Sequence, residues 1–342
     1  GNGFLDAQTE AANTTPDAIL LQAMLAEFAQ QNADAVAMEV SSHGLDQGRV
    51  NGVAFDIAVL TNLSRDHLDY HETMEAYAAA KQKLFAWEGL GTAIVNADDA
   101  FGSKLASSIK AQGKICVSYG FENKGTQYDI SASHLKLHDA GLSMQVKTPQ
   151  GDALVKANVL GRFNAYNVLA VLATLLALNF SLNEAVAAVG KIKPVLGRMQ
   201  QFGGGELPLV VVDYAHTPDA LEKVLSTLKE QVGNEAKLIC VFGCGGDRDV
   251  GKRPLMGSIA STLADKVVVT TDNPRTENPT AIIQAIVDSM KDGYVIELDR
   301  ASAIRNAIKA AKQGDIILVA GKGHENYQEI SGVKHPFDDT LI

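Results

Sequence analysis

Lys266-Val267-Val268-Val269-Thr270-Thr271-Asp272-Asn273-Pro274-Arg275-Thr276-Glu277-Asn278-Pro279 reads as a buried strand that runs straight into a polar loop. The run from Lys266 to Thr271 is rich in β-branched residues and has the length of a strand. Pro279 opens the next helix, expected to reach Met290. Strand, loop and helix in that order are one unit of an open α/β sheet. Such sheets bind ligands beyond the carboxyl ends of their strands. Arg275 offers a planar fork of donors that matches a carboxylate, and Asn273 can both donate and accept. The two prolines narrow the loop's shapes. The loop suits a small zwitterion with carboxylate and ammonium groups. Read locally, it is equally consistent with a turn that only caps the helix.

Working outward, three more strands end in unusual loops. Leu207 to Asp213 leads into Asp213-Tyr214-Ala215-His216-Thr217-Pro218-Asp219. Lys237 to Phe242 leads into Gly243-Cys244-Gly245-Gly246-Asp247-Arg248-Asp249, and Asp315 to Ala320 into Gly321-Lys322-Gly323-His324-Glu325. With helices expected over Pro218 to Gln231, Pro254 to Ala264 and 301–312, this half is a doubly wound, Rossmann-like α/β domain. Four polar loops on the carboxyl edge of one sheet point to a site. Gly246 to Lys252 also has the G-x-x-x-x-G-K spacing of a phosphate loop between a strand and a helix. Arg253 and Pro254 follow, so the hydroxyl that would hold Mg²⁺ is missing. The segment reads instead as a Gly-rich loop whose Arg248 faces an anion.

The first half alternates helices and strands as well. Pro16 to Gln31 is expected as an amphipathic helix with Leu20, Met24, Leu25 and Phe28 on its apolar face. Ala35 to Val40 and Phe55 to Thr61 are expected strands, followed by the helix Met74 to Phe85 and the strand Thr92 to Asn96. This rhythm implies a mainly parallel sheet. From Tyr128 to Val159 the pattern turns to alternation, with turns at Asp139-Ala140-Gly141 and Gln150-Gly151-Asp152, a β meander at the side of that sheet. Helices Asn164 to Leu178 and Asn183 to Lys191 follow. Lys193 to Arg198 reads as a hinge, dividing the chain into domains 1–195 and 196–342.

The first half carries its own polar set. Glu39-Val40-Ser41-Ser42-His43-Gly44-Leu45 ends one strand, and His67 follows the next. A carboxylate and an imidazole at neighbouring strand ends are reasonable Mg²⁺ ligands beside phosphate, although Mg²⁺ prefers oxygen. Lys81 cannot bind a cation as an ammonium, but its neutral amine could take up CO₂ to give a carbamate, an oxygen donor. Residue physics alone favours a solvated helix lysine there. Asn164 and Asn167 in Gly161-Arg162-Phe163-Asn164-Ala165-Tyr166-Asn167 suit helix capping, or hydrogen bonds to an adenine edge.

Composition sets the outer bounds. At 342 residues two domains are expected, each large enough for its own core. A formal charge of −10 with no Lys/Arg run argues against nucleic-acid binding. Cys116, Cys240 and Cys244 are too few and too badly spaced for a disulfide framework or a zinc site, which suits a reducing cytoplasm. No stretch has the length and apolarity to insert in a membrane. Gly1-Asn2-Gly3-Phe4 is loop-like and lacks an initiator Met, and the closing residues to Ile342 stop where a last helix could begin. The chain is therefore expected to be an excised segment of a longer protein.

Taken together, these motifs in this order resemble the Mur ligases of peptidoglycan synthesis. The resemblance runs through Asn13-Thr14-Thr15, Glu39 to Leu45, Asn62 to His71, Lys81, Gly161 to Asn167, Gly197-Arg198-Met199, Asp213 to Asp219, Gly243 to Pro254, Asp272 to Glu277 and Gly321 to Glu325. It implies a central ATPase-type domain, here partial, joined to a C-terminal amino-acid-binding domain. It also implies a cytoplasmic, monomeric enzyme of cell-wall biogenesis, and so of cell shape and division. By position, Asn13, Thr14, Thr15, Ser41, Gln47 and Arg49 match residues that hold the UDP-muramoyl dipeptide. Glu39 and His67 match Mg²⁺ ligands, and Lys81 matches the family's carbamylated lysine, reversing the local reading. These three form the implied catalytic and metal set. Asn164, Arg198, Asp213 and His216 match the nucleotide region. Arg248, Asp272, Asn273, Pro274, Arg275, Gly321 and Glu325 match the amino-acid site, and Asp-Asn-Pro-Arg resembles the diaminopimelate-adding branch.

The implied reaction uses ATP to phosphorylate the γ-carboxylate of the D-glutamyl residue. The amine of meso-diaminopimelate then attacks the acyl phosphate. One departure stands out: the family's G-T-x-G-K-T phosphate loop and its UDP-gripping N-terminal domain have no counterpart here. The segment alone is thus expected not to turn over. Two other readings stay open, a folylpolyglutamate-synthetase-like ligase with a different amino-acid loop, and a non-catalytic nucleotide- or amino-acid-binding module.

Overall fold

Two six-stranded sheets organise the chain. The computed structural model describes residues 2–342 except 5, 6, 10, 12, 124, 139, 140, 193, 194, 196, 234 and 292. The hinge at 193–198 and the turn at 139–141 therefore fall largely outside the described residues.

The first sheet runs in the order Ile57–Leu60, Thr92–Asn96, Cys116–Phe121, Ile130–His138, Gly141–Thr148, Gly151–Ala157. Its first four strands are parallel and the last two antiparallel. The meander is thus not a separate element. It continues the sheet by pairing Ile130–His138 with Cys116–Phe121. One face is covered by helices Arg162–Ala177 and Leu182–Val189, the other by Met74–Phe85 and Ala100–Ala111. Thr73 Oγ1 caps Met74–Phe85 by accepting from Ala76 N at 3.1 Å, which fixes where the helix bearing Lys81 begins.

The second sheet runs Tyr294–Ile296, Lys266–Val269, Leu238–Phe242, Ile316–Ala320, Leu209–Asp213, Gln200–Gly203. Five strands are parallel and the edge strand Gln200–Gly203 is antiparallel. Leu238–Phe242 and Ile316–Ala320 are buried throughout, as continuous apolar runs at the middle of a parallel sheet should be. Helices Pro218–Lys229, Lys252–Leu263 and Pro279–Val287 cover one face and Arg300–Ala310 the other. Each fully buried Leu or Ile in these layers contributes about 1.5–3 kcal/mol of transfer free energy. The four strands that end in the polar loops are consecutive neighbours in this order, so their loops share one sheet edge.

Two expectations fail. Residues 35–40 join no hydrogen-bonded ladder among the described residues, although their apolar alternation is that of a strand. Alternation supplies side chains for a sheet, but a strand also needs a partner backbone. Ile57–Leu60 is an edge strand here and does not pair with them. The first helix is Ala18–Gln30, and it packs through Leu21 and Leu25 rather than Leu20, which is 48% exposed. Elements not anticipated include the helix Ala100–Ala111, the strands Cys116–Phe121, Gln200–Gly203 and Tyr294–Ile296, and the antiparallel pairs Asn2–Phe4 with Ala7–Thr9 and Tyr327–Ile330 with Val333–Pro336.

Candidate active site

The carboxyl ends of the second sheet's strands face the first domain across a cleft of about 1710 Å³. From the first domain Asn13, Thr14, Glu39, Ser41, Arg49, His67 and Lys81 line it. From the second, His216, Arg248, Asp272, Asn273, Arg275, Gly321 and Glu325 do so. Arg65 Nη2 lies 3.8 Å from Asp249 Oδ2, an ion pair across the two domains.

Six expected site residues are not among those lining the cleft, and their bonds show how each is held. Thr15 is buried and receives Ser41 N at 2.9 Å, while its hydroxyl donates to Glu39 O at 3.0 Å. It fixes the Glu39–Ser41 segment. Gln47 Oε1 accepts from Arg49 Nε at 2.9 Å and so orients that guanidinium, whose Nη1 also donates to Thr15 O. Asp213 is buried, accepting from Met199 N and Ala215 N at 2.8 Å each; burial raises its carboxyl pKa against those bonds. Arg198 stacks over the Tyr214 ring at 4.9 Å. Asn164 Nδ2 donates to Leu160 O at 2.7 Å, tying down the start of its helix. Pro274 meets the neighbouring loop through its carbonyl.

That contact accounts for the first glycine of the phosphate-loop spacing. A Cβ on Gly246 would sit 2.0 Å from Pro274 O, so the glycine is required by loop-to-loop packing. Lys252 Nζ donates to His216 O at 2.9 Å. Arg253, with its side chain 5% exposed, pairs with Glu277 at 2.8 Å, and Thr276 Oγ1 donates to Asp247. The Gly243–Asp249 and Asp272–Glu277 loops are thereby fastened together.

The loops that follow Val269 and Ala320 hold a charged cluster. Lys322 is fully buried; its Nζ donates to Asn273 Oδ1 at 2.9 Å, Glu325 Oε2 at 3.3 Å and Asp272 Oδ1 at 3.4 Å. Asn273 Nδ2 in turn donates to Glu325 Oε2 at 2.9 Å. Both amide ends of Asn273 are thus engaged, and it orients Glu325. Among the described residues Glu325 Oε1 accepts from Tyr214 OH alone, at 3.5 Å. Arg275 and Arg248 supply fixed positive charge in the same cleft. The cleft wall here thus carries cationic forks and a carboxylate side by side.

Across the cleft, Lys81 is half-buried with Nζ 5.2 Å from the Tyr77 ring centroid. Burial lowers its pKa, while Glu39 and Asp66 pull it back up. Asp66 lines the cleft, receives His67 N at 2.8 Å, and was not singled out from sequence. His216 has its pKa lowered, first by burial and then by the Lys252 charge. Among the described residues no three His, Cys, Asp or Glu side chains are grouped to hold a metal. Glu39 and His67 would need a third donor. A carbamate on Lys81 would be an oxygen donor, and beside Glu39 and Asp66 it would need cationic compensation. With it, the donor set fits a hard divalent cation.

The Mur ligase middle domain profile matches residues 2–175, and the Mur ligase glutamate ligase domain profile matches residues 197–323. UDP-N-acetylmuramoyl-L-alanyl-D-glutamate–2,6-diaminopimelate ligase of Chromobacterium violaceum is 54% identical over the whole chain, which spans 69% of that protein. The enzyme of the same name from Pseudomonas aeruginosa is 51% identical over 99% of the chain and 69% of its own length. A solved structure of a ligase with that name is 44% identical, with a TM-score of 0.67, over all of this chain and 69% of that one. Folylpolyglutamate synthase of Mycobacterium tuberculosis shares the fold alone, at 19% identity and a TM-score of 0.69 over 88% of this chain and 69% of that one. No helix among the described residues is long and apolar enough to cross a membrane. By sequence and fold, the chain belongs to the Mur ligase family.

Proposed function

We infer that this chain belongs to an ATP-dependent ligase that joins meso-2,6-diaminopimelate to UDP-N-acetylmuramoyl-L-alanyl-D-glutamate, a step in making peptidoglycan precursors. The observation that carries this reading is the receptor of Arg275, Asn273 and Glu325, held by Lys322 at one side of the cleft. Opposite it stand Glu39, Lys81, Ser41 and Arg49. The division at 195/196 gives each side its own domain.

In this reading the γ-carboxylate of the D-glutamyl residue attacks the γ-phosphorus of ATP, and ADP leaves. The amine of diaminopimelate attacks the acyl phosphate carbon. An amide forms, inorganic phosphate leaves, and the amine proton passes to solvent. Ser41 and Arg49 hold the muramoyl dipeptide, and His216 lies toward the nucleotide. Arg248 and Arg275 grip the distal carboxylate while Glu325 receives the distal ammonium, so the reacting amine is oriented from its far end. Glu39, His67 and Lys81 as its carbamate would hold Mg²⁺. When bound there, such an ion would offset the repulsion between carboxylate and triphosphate. The buried thiols Cys116, Cys240 and Cys244, together with ATP as a substrate, suit a cytoplasmic setting, and a monomer suffices because both sides of the cleft come from one chain.

Arg275→Ala in the full-length enzyme is expected to cost about 2–4 kcal/mol in kcat/KM for diaminopimelate. Lysine, which lacks the distal carboxylate, should lose little. Steady-state kinetics with both amines measure this, and unchanged diaminopimelate kinetics contradict the site assignment.

A further inference from the structure

Tyr327–Ile330 and Val333–Pro336 pair as an antiparallel hairpin beside the cleft. Its connection, Ser331-Gly332, places both residues at positive φ, 51° and 77°. This is the two-residue turn whose twist matches the strands it joins. The hairpin belongs to neither large sheet. It is fastened instead to the Asp272–Arg275 loop. Gln328 Nε2 donates to Asp272 O at 2.7 Å, and Glu329 N donates to Asn273 Oδ1 at 3.0 Å. Arg275 N donates to Glu329 O at 3.0 Å, and Ser331 N donates to Arg275 O at 2.7 Å, bridging Arg275 to Ile330. Arg275 sits at φ 51°, a conformation disfavoured for any side chain larger than glycine. It persists because these bonds over-determine it.

The Arg275 side chain is held as firmly as its backbone. Nη1 donates to Gly246 O at 2.8 Å, and Nε lies 3.3 Å from Glu329 Oε2. The Nη1 hydrogen bond and the Nε ion pair together restrain the guanidinium. Among the described residues Nη2 has no hydrogen-bond partner, and the residue lines the cleft. We infer that Glu329 is a positioning residue for amine selection: carried in by the hairpin, its carboxylate holds the Arg275 plane and leaves Nη2 for the distal carboxylate of the incoming amino acid. It also keeps the largely buried guanidinium paired when no ligand is present. Glu329 touches no reacting atom, so its effect belongs to binding and discrimination rather than to the chemical step.

The inference rests on the amine-site reading above, and the test separates the two. In the full-length enzyme, kcat/KM is measured for diaminopimelate and for lysine in wild type, Glu329→Ala, Glu329→Gln and Arg275→Ala. Glu329→Ala should lower the diaminopimelate-to-lysine ratio about tenfold, through KM, with kcat changed by less than about twofold. Glu329→Gln keeps an oxygen beside Nε but loses the charge, and its ratio should fall between those of Ala and wild type. Glu329→Ala added to Arg275→Ala should cost nothing further. An unchanged ratio in Glu329→Ala, a Gln variant as poor as Ala, or full additivity in the double variant overturns the inference. If Arg275→Ala leaves the ratio intact, the amine-site reading itself fails. If Arg275→Ala lowers it and Glu329→Ala does not, only the role of Glu329 fails.

Discussion

Replacing Lys81 with Ala in the full-length enzyme is expected to lower turnover by about 10²–10³-fold. A short carboxylic acid supplied at high concentration should restore part of it, because it can return an oxygen donor to the emptied space. The expectation starts from the side chain's surroundings. Lys81 has no hydrogen bond or ion pair among the described residues, and burial lowers its pKa. A larger share of its amine is therefore neutral, and only the neutral amine adds CO₂. Glu39 and Asp66 face it. An ordinary ammonium there would be a simple counter-charge, and its loss would raise KM without carboxylate rescue. Turnover measured with and without added acid distinguishes these outcomes. Full activity of the alanine variant with no added acid removes Lys81 from the mechanism.

The second large effect is on stability. Arg300 and Asp339 form a bidentate pair with both side chains 0% exposed, at 2.8 Å from Nε to Oδ1 and 2.7 Å from Nη2 to Oδ2. Arg300 also donates to Ala320 O at 3.0 Å and Thr271 O at 3.3 Å, just where two site loops leave their strands. Asp339→Ala leaves a buried guanidinium without its counter-ion and should cost about 3–5 kcal/mol. Denaturant unfolding should show a lower midpoint for the C-terminal transition with an unchanged slope. An apolar pair, Arg300→Met with Asp339→Leu, should recover much of the loss, since no charge is then left buried. A stability change below about 1 kcal/mol in Asp339→Ala would show that this pair is not the clamp described.

Much of this was legible in the sequence because the site's loops are contiguous. Asp272-Asn273-Pro274-Arg275 and Gly321 to Glu325 each announce themselves as polar stretches at the end of an apolar run, and parallel topology brings such ends together. The fold class followed from the same alternation. What escaped notice depends on partners far apart in the chain. Lys322 lies within its polar loop but acquires its importance from Asp272 and Asn273, 50 and 49 positions away. Glu329 matters only because a hairpin with no strong apolar pattern folds onto Arg275. The failure at 35–40 is similar, since alternation specifies faces and not a neighbouring backbone. Asp213 and Asn164 likewise hold structural bonds, to Met199 and Ala215 and to Leu160 and Asn167, that their motifs do not announce.

The most direct test of the central claim is a competition measured by mass spectrometry. The full-length enzyme receives ATP, Mg²⁺, UDP-N-acetylmuramoyl-L-alanyl-D-glutamate and equal amounts of meso-diaminopimelate and lysine, and both the amide product and ADP are quantified. The receptor of Arg275, Asn273 and Glu325 predicts that the diaminopimelate tripeptide dominates, with one ADP released for each amide formed. A lysine product in comparable amount, or ADP released without any amide, would contradict it.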